Sequence, residues 1–216
     1  MGKLRLYALG IDEARDLFQG SPGVAERLRE LAGAAFPEPP APKPRRFRGR
    51  VRRRHGDDRH PAEEPGRPTA EDLAKVTGGH FVGPDRLQVA WTLARLWFGD
   101  RSWSSVEVPI DESSSESLDF NLAAAGVPPS ASVRSLFSRP LQIPLQPPPG
   151  GASGYLRGQR AHSLRDAWAD ALPRLSTENA ETAQQVVTWL GGLESWRDQA
   201  RDAGRPDPDI IALYSR

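Results

Sequence analysis

The residues best suited to chemistry are the histidines and the carboxylates beside them. His55, Asp57, Asp58 and His60 stand within six residues of one another. Imidazole and carboxylate groups are ligands for divalent metals such as zinc. Metal ligands must be held by neighbouring groups, however, and this stretch lies in a proline-rich segment with no predicted helix or strand. We therefore predict a solvated loop here and no metal site.

A second pattern places His162 beside Ser163 and four residues before Asp166, which is typical of a nucleophile and its base. Adjacent side chains in a helix point in different directions, and no nucleophile elbow surrounds Ser163. A helix cap and a surface histidine explain the pattern better.

The glycine-rich stretch 150–158 lacks the lysine of a phosphate loop and the spacing of a dinucleotide fingerprint. The sequence leaves enzymatic activity open and favours a protein without a catalytic site or cofactor.

Basic side chains are concentrated in an arm at residues 43–54, which holds eight of them and no acidic residue. The formal net charge of the chain is +1, so the remaining residues carry −7. Such an arm attracts nucleic acid phosphates, anionic lipid or an acidic protein, although a loop without function remains the alternative. Phe47 alone offers a surface for base stacking, so sequence-specific recognition is not expected. The predicted binding residues are Arg45, Arg46, Phe47, Arg48, Arg50, Arg52, Arg53 and Arg54.

Most of the six tryptophans fall on predicted apolar stripes of helices, where core packing is expected. Trp103 and Trp168 become candidates for a protein interface if they are exposed.

The absence of cysteine excludes disulfides, thiolate nucleophiles and cysteine metal sites. The first apolar run is too short for the core of a signal peptide, and no stretch approaches the roughly 20 apolar residues of a membrane-spanning helix. We expect a cytoplasmic protein with no membrane span.

Alternating apolar residues predict an opening strand at 4–9 and a closing strand at 210–214, which could pair with each other. The same pattern predicts strands at 106–110, 141–145 and 153–156. Helical spacing predicts helices at 11–18, 21–36, from Thr69 onward, 84–98, 115–125, 131–138, 163–172 and a longer one interrupted by Gly191 and Gly192. The irregular order predicts an α+β fold, predominantly helical with a small sheet.

Proline and glycine divide the chain into three parts. Residues 1–36 are predicted to dock on the main α+β body at 69–216, and 37–68 form an insert rich in proline and arginine. Because the first part is too short for a core of its own, one domain overall is expected.

The closing segment contains Trp189-Leu190, Trp196-Arg197, Ala200 and Gly204, followed by the run 209–214. With the Gly154-Tyr155 element, this layout resembles that of the YfbM-like group of uncharacterised bacterial proteins. The group tends to open with a short strand followed by helices and to end on a helix and a strand. Some members resemble immunity proteins encoded beside secreted toxins.

Two functional hypotheses follow. The first is a non-enzymatic protein that binds another protein, such as an immunity or inhibitor protein that occludes a toxin encoded nearby. The second is a nucleic-acid-associated protein that uses the arm at 43–54.

Overall fold

The structure of the chain, a computed structural model, describes residues 2–37, 66–148 and 150–216. It contains one four-stranded antiparallel sheet with the strand order β2-β1-β4-β3. The strands are β1 Lys3–Leu9, β2 Ser105–Pro109, β3 Ala152–Leu156 and β4 Asp209–Ser215. The chain therefore has the predicted α+β fold.

Eight α-helices surround the sheet in the described residues. They are α1 Ile11–Asp16, α2 Pro22–Ala35, α3 Ala70–Thr77, α4 Leu87–Arg101, α5 Glu112–Ala124, α6 Gly158–Ala171, α7 Thr177–Leu190 and α8 Leu193–Asp202. Short 3₁₀ turns occur at Pro129–Ala131, Val133–Phe137 and Leu172–Arg174.

The first and last strands pair with each other, as predicted, and they form the centre of the sheet. β1 pairs with β4 in the register Leu6 opposite Ala212, and with β2 in the register Leu6 opposite Val106. Both inner strands have apolar side chains on both faces, so each strand is buried from both sides. The sheet therefore requires a layer of helices on each face.

Two hydrophobic cores lie on opposite faces of this sheet. One contains Leu4, Leu6, Ile210 and Ala212 with side chains from α5 to α8. The other contains Tyr7, Leu9, Ile211 and Leu213 with side chains from α1 to α4. The alternation of strand side chains assigns each residue to one core or the other, since neighbours point to opposite faces.

Local signals fix several helix ends. Thr69 accepts the backbone N–H of Asp72, and the Asp72 carboxylate accepts the backbone N–H of Thr69, which forms a capping box at the start of α3. Arg86 binds the same carboxylate. Ser21 precedes α2 as predicted, but its side chain makes no capping hydrogen bond.

The glycine pair at 191 and 192 separates α7 from α8. A Cβ atom on Gly192 would lie 2.4 Å from the ring of Trp196. Glycine is required at this position because Trp196, the one tryptophan of α8, packs back onto the connection.

The strand predicted at 141–145 is absent, which corrects the sequence interpretation. Leu141 and Leu145 are buried in the core beside α4, while Gln142 has φ of 55° and breaks the extended conformation. The neighbouring segment makes only an isolated bridge, between Arg139 and Tyr155. The alternating apolar residues of 141–145 belong to an irregular segment that covers the core, and they do not form a further strand.

Candidate functional site

A cleft with a volume of about 510 Å³, with mostly polar or charged residues among those that line it, opens at one end of the sheet. It lies where β3 leads into α6, where α8 begins and where the chain enters β4. We call it the sheet-end cleft. Its lining residues are Arg157, Gly158, Gln159, His162, Leu193, Arg197, Asp207, Pro208 and Asp209.

Two chain segments that line the cleft, at Gly158 and at Pro208, pack closely against each other. β3 ends at Leu156 and α6 begins at Gly158, so Arg157 alone connects the two elements. A Cβ atom on Gly158 would lie 2.9 Å from the carbonyl oxygen of Pro208. Glycine therefore allows the first turn of α6 to approach the segment that enters β4.

The Asp209 carboxylate is buried, with 5% of the residue exposed. Its Oδ2 accepts the backbone N–H of Ile11 at 3.3 Å and a guanidinium N–H of Arg157 at 3.3 Å. Its Oδ1 accepts the backbone N–H of Gly158 at 3.3 Å. Burial raises the pKa of Asp209, and these donors oppose that rise. Asp209 thus ties the first turns of α1 and α6 to the start of β4.

Arg157 and Arg197 supply the positive charge of the cleft, and about half of each side chain is exposed. Arg197 donates from Nε to Oδ2 of Asp207 at 3.2 Å and lies 3.8 Å from Oε2 of Glu194. A guanidinium has five N–H donors, and the described hydrogen bonds use one on each arginine. Each of the two therefore keeps further N–H groups that make no hydrogen bond within the described residues, and the Arg157 guanidinium also lies 5.5 Å from the centre of the Tyr155 ring.

His162 lines the cleft with only a quarter of its side chain exposed. Its Nε2 lies 3.5 Å from Oε1 of Glu194 on α8. Asp166, which sequence spacing placed beside the histidine, instead pairs with Arg165 at 2.8 Å. The structure therefore joins His162 to α8 and does not assemble the sequence pattern of His162, Ser163 and Asp166 as one site.

A second polar group lies at the start of the segment 205–209. The Oε1 atom of buried Glu13 accepts Arg205 Nε at 2.8 Å and lies 3.4 Å from Arg101 Nη2. The Arg205 guanidinium lies 4.2 Å from the centre of the Trp103 ring. We call these four residues the Glu13 cluster. It fixes the segment that forms one wall of the sheet-end cleft.

The two tryptophans proposed for an interface differ in environment. Trp168 is fully buried and donates its indole N–H to the carbonyl of Ala131. It is therefore not exposed to solvent, which was the condition for proposing it as an interface residue. Trp103 is partly buried and packs against the core below α5 to α8. Arg205 covers one face of its ring. This face of Trp103 is therefore occupied within the chain.

The arginine-rich candidates Arg45 to Arg54, with Phe47, and the His55 to His60 group lie outside the described residues. Within the described ranges, no group of three or more histidine, aspartate or glutamate side chains could hold a metal ion. None of the helices described there is long and apolar enough to cross a membrane.

Sequence reasoning missed Glu13, Arg157, Arg197, Arg205 and Asp209. Glu13 and Arg205 are 192 residues apart, so no local spacing could join them. One available signal was the alternation of proline with charged residues at 205–209, since prolines there restrict the backbone that carries those charges. Another was the single residue between β3 and α6.

The chain belongs to a family described as a domain of unknown function, DUF7691, whose family model matches residues 1–215. No curated protein and no solved structure shows significant similarity to the chain.

Proposed function

We propose that this chain is a non-enzymatic binding protein whose sheet-end cleft receives an acidic segment of a partner protein. The observation that supports the proposal is the excess of hydrogen-bond donors on Arg157 and Arg197. A planar guanidinium binds a carboxylate through two parallel hydrogen bonds, which gives both strength and orientation. A glutamate or aspartate side chain is therefore the natural guest.

The exposure of the cleft allows a guest carried by a protein to enter it. A volume of about 510 Å³ lies within the range of small-molecule sites and is large enough for one or two side chains. Arg157 and Arg197 are both about half exposed, so an approaching surface reaches them without opening the fold. Binding the guest would cost little rearrangement of the backbone, because Asp209 and the Glu13 cluster hold the walls.

The carboxylates in the cleft and beside it provide selectivity. Asp207, Asp209 and Glu194 each lie within 4 Å of an arginine or histidine side chain. A guest carboxylate must compete with them for guanidinium donors, so only a guest held by further contacts around the cleft would bind well. Immunity and inhibitor proteins supply such contacts across an interface of roughly 800 Å² on each partner.

Coexpression with the products of adjacent genes tests the proposal. The test variant carries Arg157→Gln and Arg197→Gln, and the matched control carries Arg165→Gln and Arg201→Gln. The control arginines lie on α6 and α8, pair with neighbouring aspartates and do not line the cleft. We expect a complex that the test variant weakens by about a hundredfold in Kd while the control preserves it.

Two results would contradict the proposal: no product of an adjacent gene binds the chain, or the test variant binds as tightly as the control. Rescue of cells from a neighbouring toxin by the wild-type chain, and its loss in the test variant, would identify the partner as a toxin.

Association with nucleic acid through the arm at 43–54 is the second candidate function. Its support is the contrast between eight basic residues in the arm and the net negative charge elsewhere. If all eight charges met DNA phosphates, the logarithm of the binding constant would fall with the logarithm of salt concentration with a slope of about −7.

A further inference from the structure

Part of one sheet face extends beyond the helices that cover it. On the face that packs against α1 to α4, Leu9 and Tyr7 of β1 are buried, Arg5 is partly exposed and Lys3 is exposed. Exposure therefore increases toward the first residue of β1. Across the strand, Glu107 of β2 lies opposite Arg5 and is also exposed. The uncovered part of this face is thus lined by charged groups.

Arg95 of α4 lies at the border of this uncovered area. Phe98, one turn further along the same helix, packs edge-on against Tyr7 with ring centres 5.8 Å apart. Residues three apart on a helix share a side, so Arg95 also lies on the side that faces the sheet. We call Arg95, Arg5, Lys3, Tyr7 and Glu107 the Arg95 site.

Arg95 is half-buried without an acidic partner in the described part of the chain. Its one hydrogen bond there goes from Nη2 to the Thr92 hydroxyl at 2.8 Å. Burial, followed by the nearby charge of Arg5, lowers the pKa of Arg95, while Tyr7 and Glu107 oppose this lowering. A half-buried cation beside a second cation is unfavourable unless an anion compensates it.

The only acidic group of the site is already shared. Lys3 donates to Oε1 of Glu107 at 2.5 Å, and Arg5 donates to Oε2 at 2.7 Å. Three cations against one carboxylate give the site a charge of +2. Tyr7 is buried beside these charged side chains.

We propose that the Arg95 site binds the phosphate group of a small-molecule phosphate monoester. The dianion would balance the charge of the site. Arg95 and Arg5 retain N–H groups that fit phosphate oxygens. This site lies on a different part of the fold from the sheet-end cleft, and it shares no residue with that cleft.

The melting temperature of the full chain tests the proposal, with inorganic phosphate as the probe and sodium chloride at equal ionic strength as the reference. A ligand that binds the native state raises the melting temperature as its concentration exceeds Kd. We expect phosphate to stabilise the wild type beyond chloride. We expect Arg95→Met to raise the Kd for phosphate by about tenfold or more, and Arg201→Met, at an exposed position of α8, to leave it unchanged.

A second measurement separates binding from a structural role. In chloride alone, Arg95→Met should be as stable as the wild type or more stable, because it removes an uncompensated half-buried charge. Clear destabilisation in chloride would assign Arg95 a structural role and overturn the proposal. So would equal stabilisation of the wild type by phosphate and chloride, or an undiminished phosphate effect in Arg95→Met.

Other anions identify the ligand class. A nucleoside monophosphate should stabilise the wild type as phosphate does. Equal stabilisation by acetate would show that the site binds any carboxylate. Equal stabilisation by an oligonucleotide without a terminal phosphate would show that it binds phosphodiesters. Either result would contradict the assignment to a phosphate monoester.

Discussion

Replacing Arg205 by methionine should destabilise the fold, because it leaves the buried Glu13 carboxylate without its closest partner. Glu13 Oε1 lies 2.8 Å from Arg205 Nε, and Glu13 Oε2 is buried without a hydrogen-bond partner in the described structure. Removing one member of a buried ion pair costs about 3–5 kcal/mol. We expect about 3 kcal/mol, at the lower end, since Arg101 remains 3.4 Å from the same oxygen.

The double variant Glu13→Leu with Arg205→Met gives the matched control. It removes both charges and keeps similar side-chain volume, so no buried charge is left without a partner. Its loss of stability should be less than about 1 kcal/mol, even though it carries one more substitution.

Urea denaturation followed by tryptophan fluorescence measures both variants, since Trp103 lies beneath the Arg205 guanidinium. The slope of the unfolding free energy with urea should stay constant. A loss below about 1 kcal/mol for Arg205→Met, or a double variant as unstable as the single one, would refute the reasoning.

Three further predictions concern the capping box, a close backbone contact and the basic arm. Burial alone would raise the pKa of Asp72, but hydrogen bonds from Arg86 and Thr69 outweigh the effect of burial and lower the pKa. The ionised Asp72 therefore stabilises the fold above about pH 4, and this stability is lost as the pH falls through the lowered pKa. Asp72→Asn should therefore shift the urea midpoint strongly at neutral pH and little in acid; an equal shift at both would contradict this. Gly154→Ala should lower the melting temperature, because the new Cβ would lie 2.6 Å from the Cα of Phe137. The control Gly33→Ala on α2 places its Cβ in open space and should stabilise the fold by about 0.5–1 kcal/mol. Similar melting temperatures for the two variants would contradict this prediction. Deleting 43–54 should abolish salt-sensitive binding to DNA or RNA in a mobility-shift assay, and unchanged binding would rule out the arm as the nucleic acid site.

Much of the fold can be predicted because its signals are local. The apolar alternation of 4–9 and 210–214 identifies both central strands, and the Thr69 to Asp72 spacing marks the start of α3. The segment 141–145 shows the limit of this approach. Its alternation resembles that of a strand, yet Gln142 adopts a left-handed conformation that alternation does not reveal.

The candidate site could be predicted only in part. His162 attracts attention by residue type, but its charged partner Glu194 is 32 residues away on another helix. In the sequence, Asp209 is only a polar residue at the end of a strand. Its carboxylate accepts hydrogen bonds from Ile11 and Gly158 because α1 and α6 meet at this end of the sheet. Contacts of this kind depend on topology, which no spacing in the sequence encodes.

Hydrogen exchange of the chain, alone and with the adjacent gene product that copurifies with it, tests the proposed function most directly. If the sheet-end cleft receives the partner, amides in 157–162, 193–197 and 205–209 should become protected together. Protection confined to other parts of the chain, with these three segments unchanged, would contradict the account.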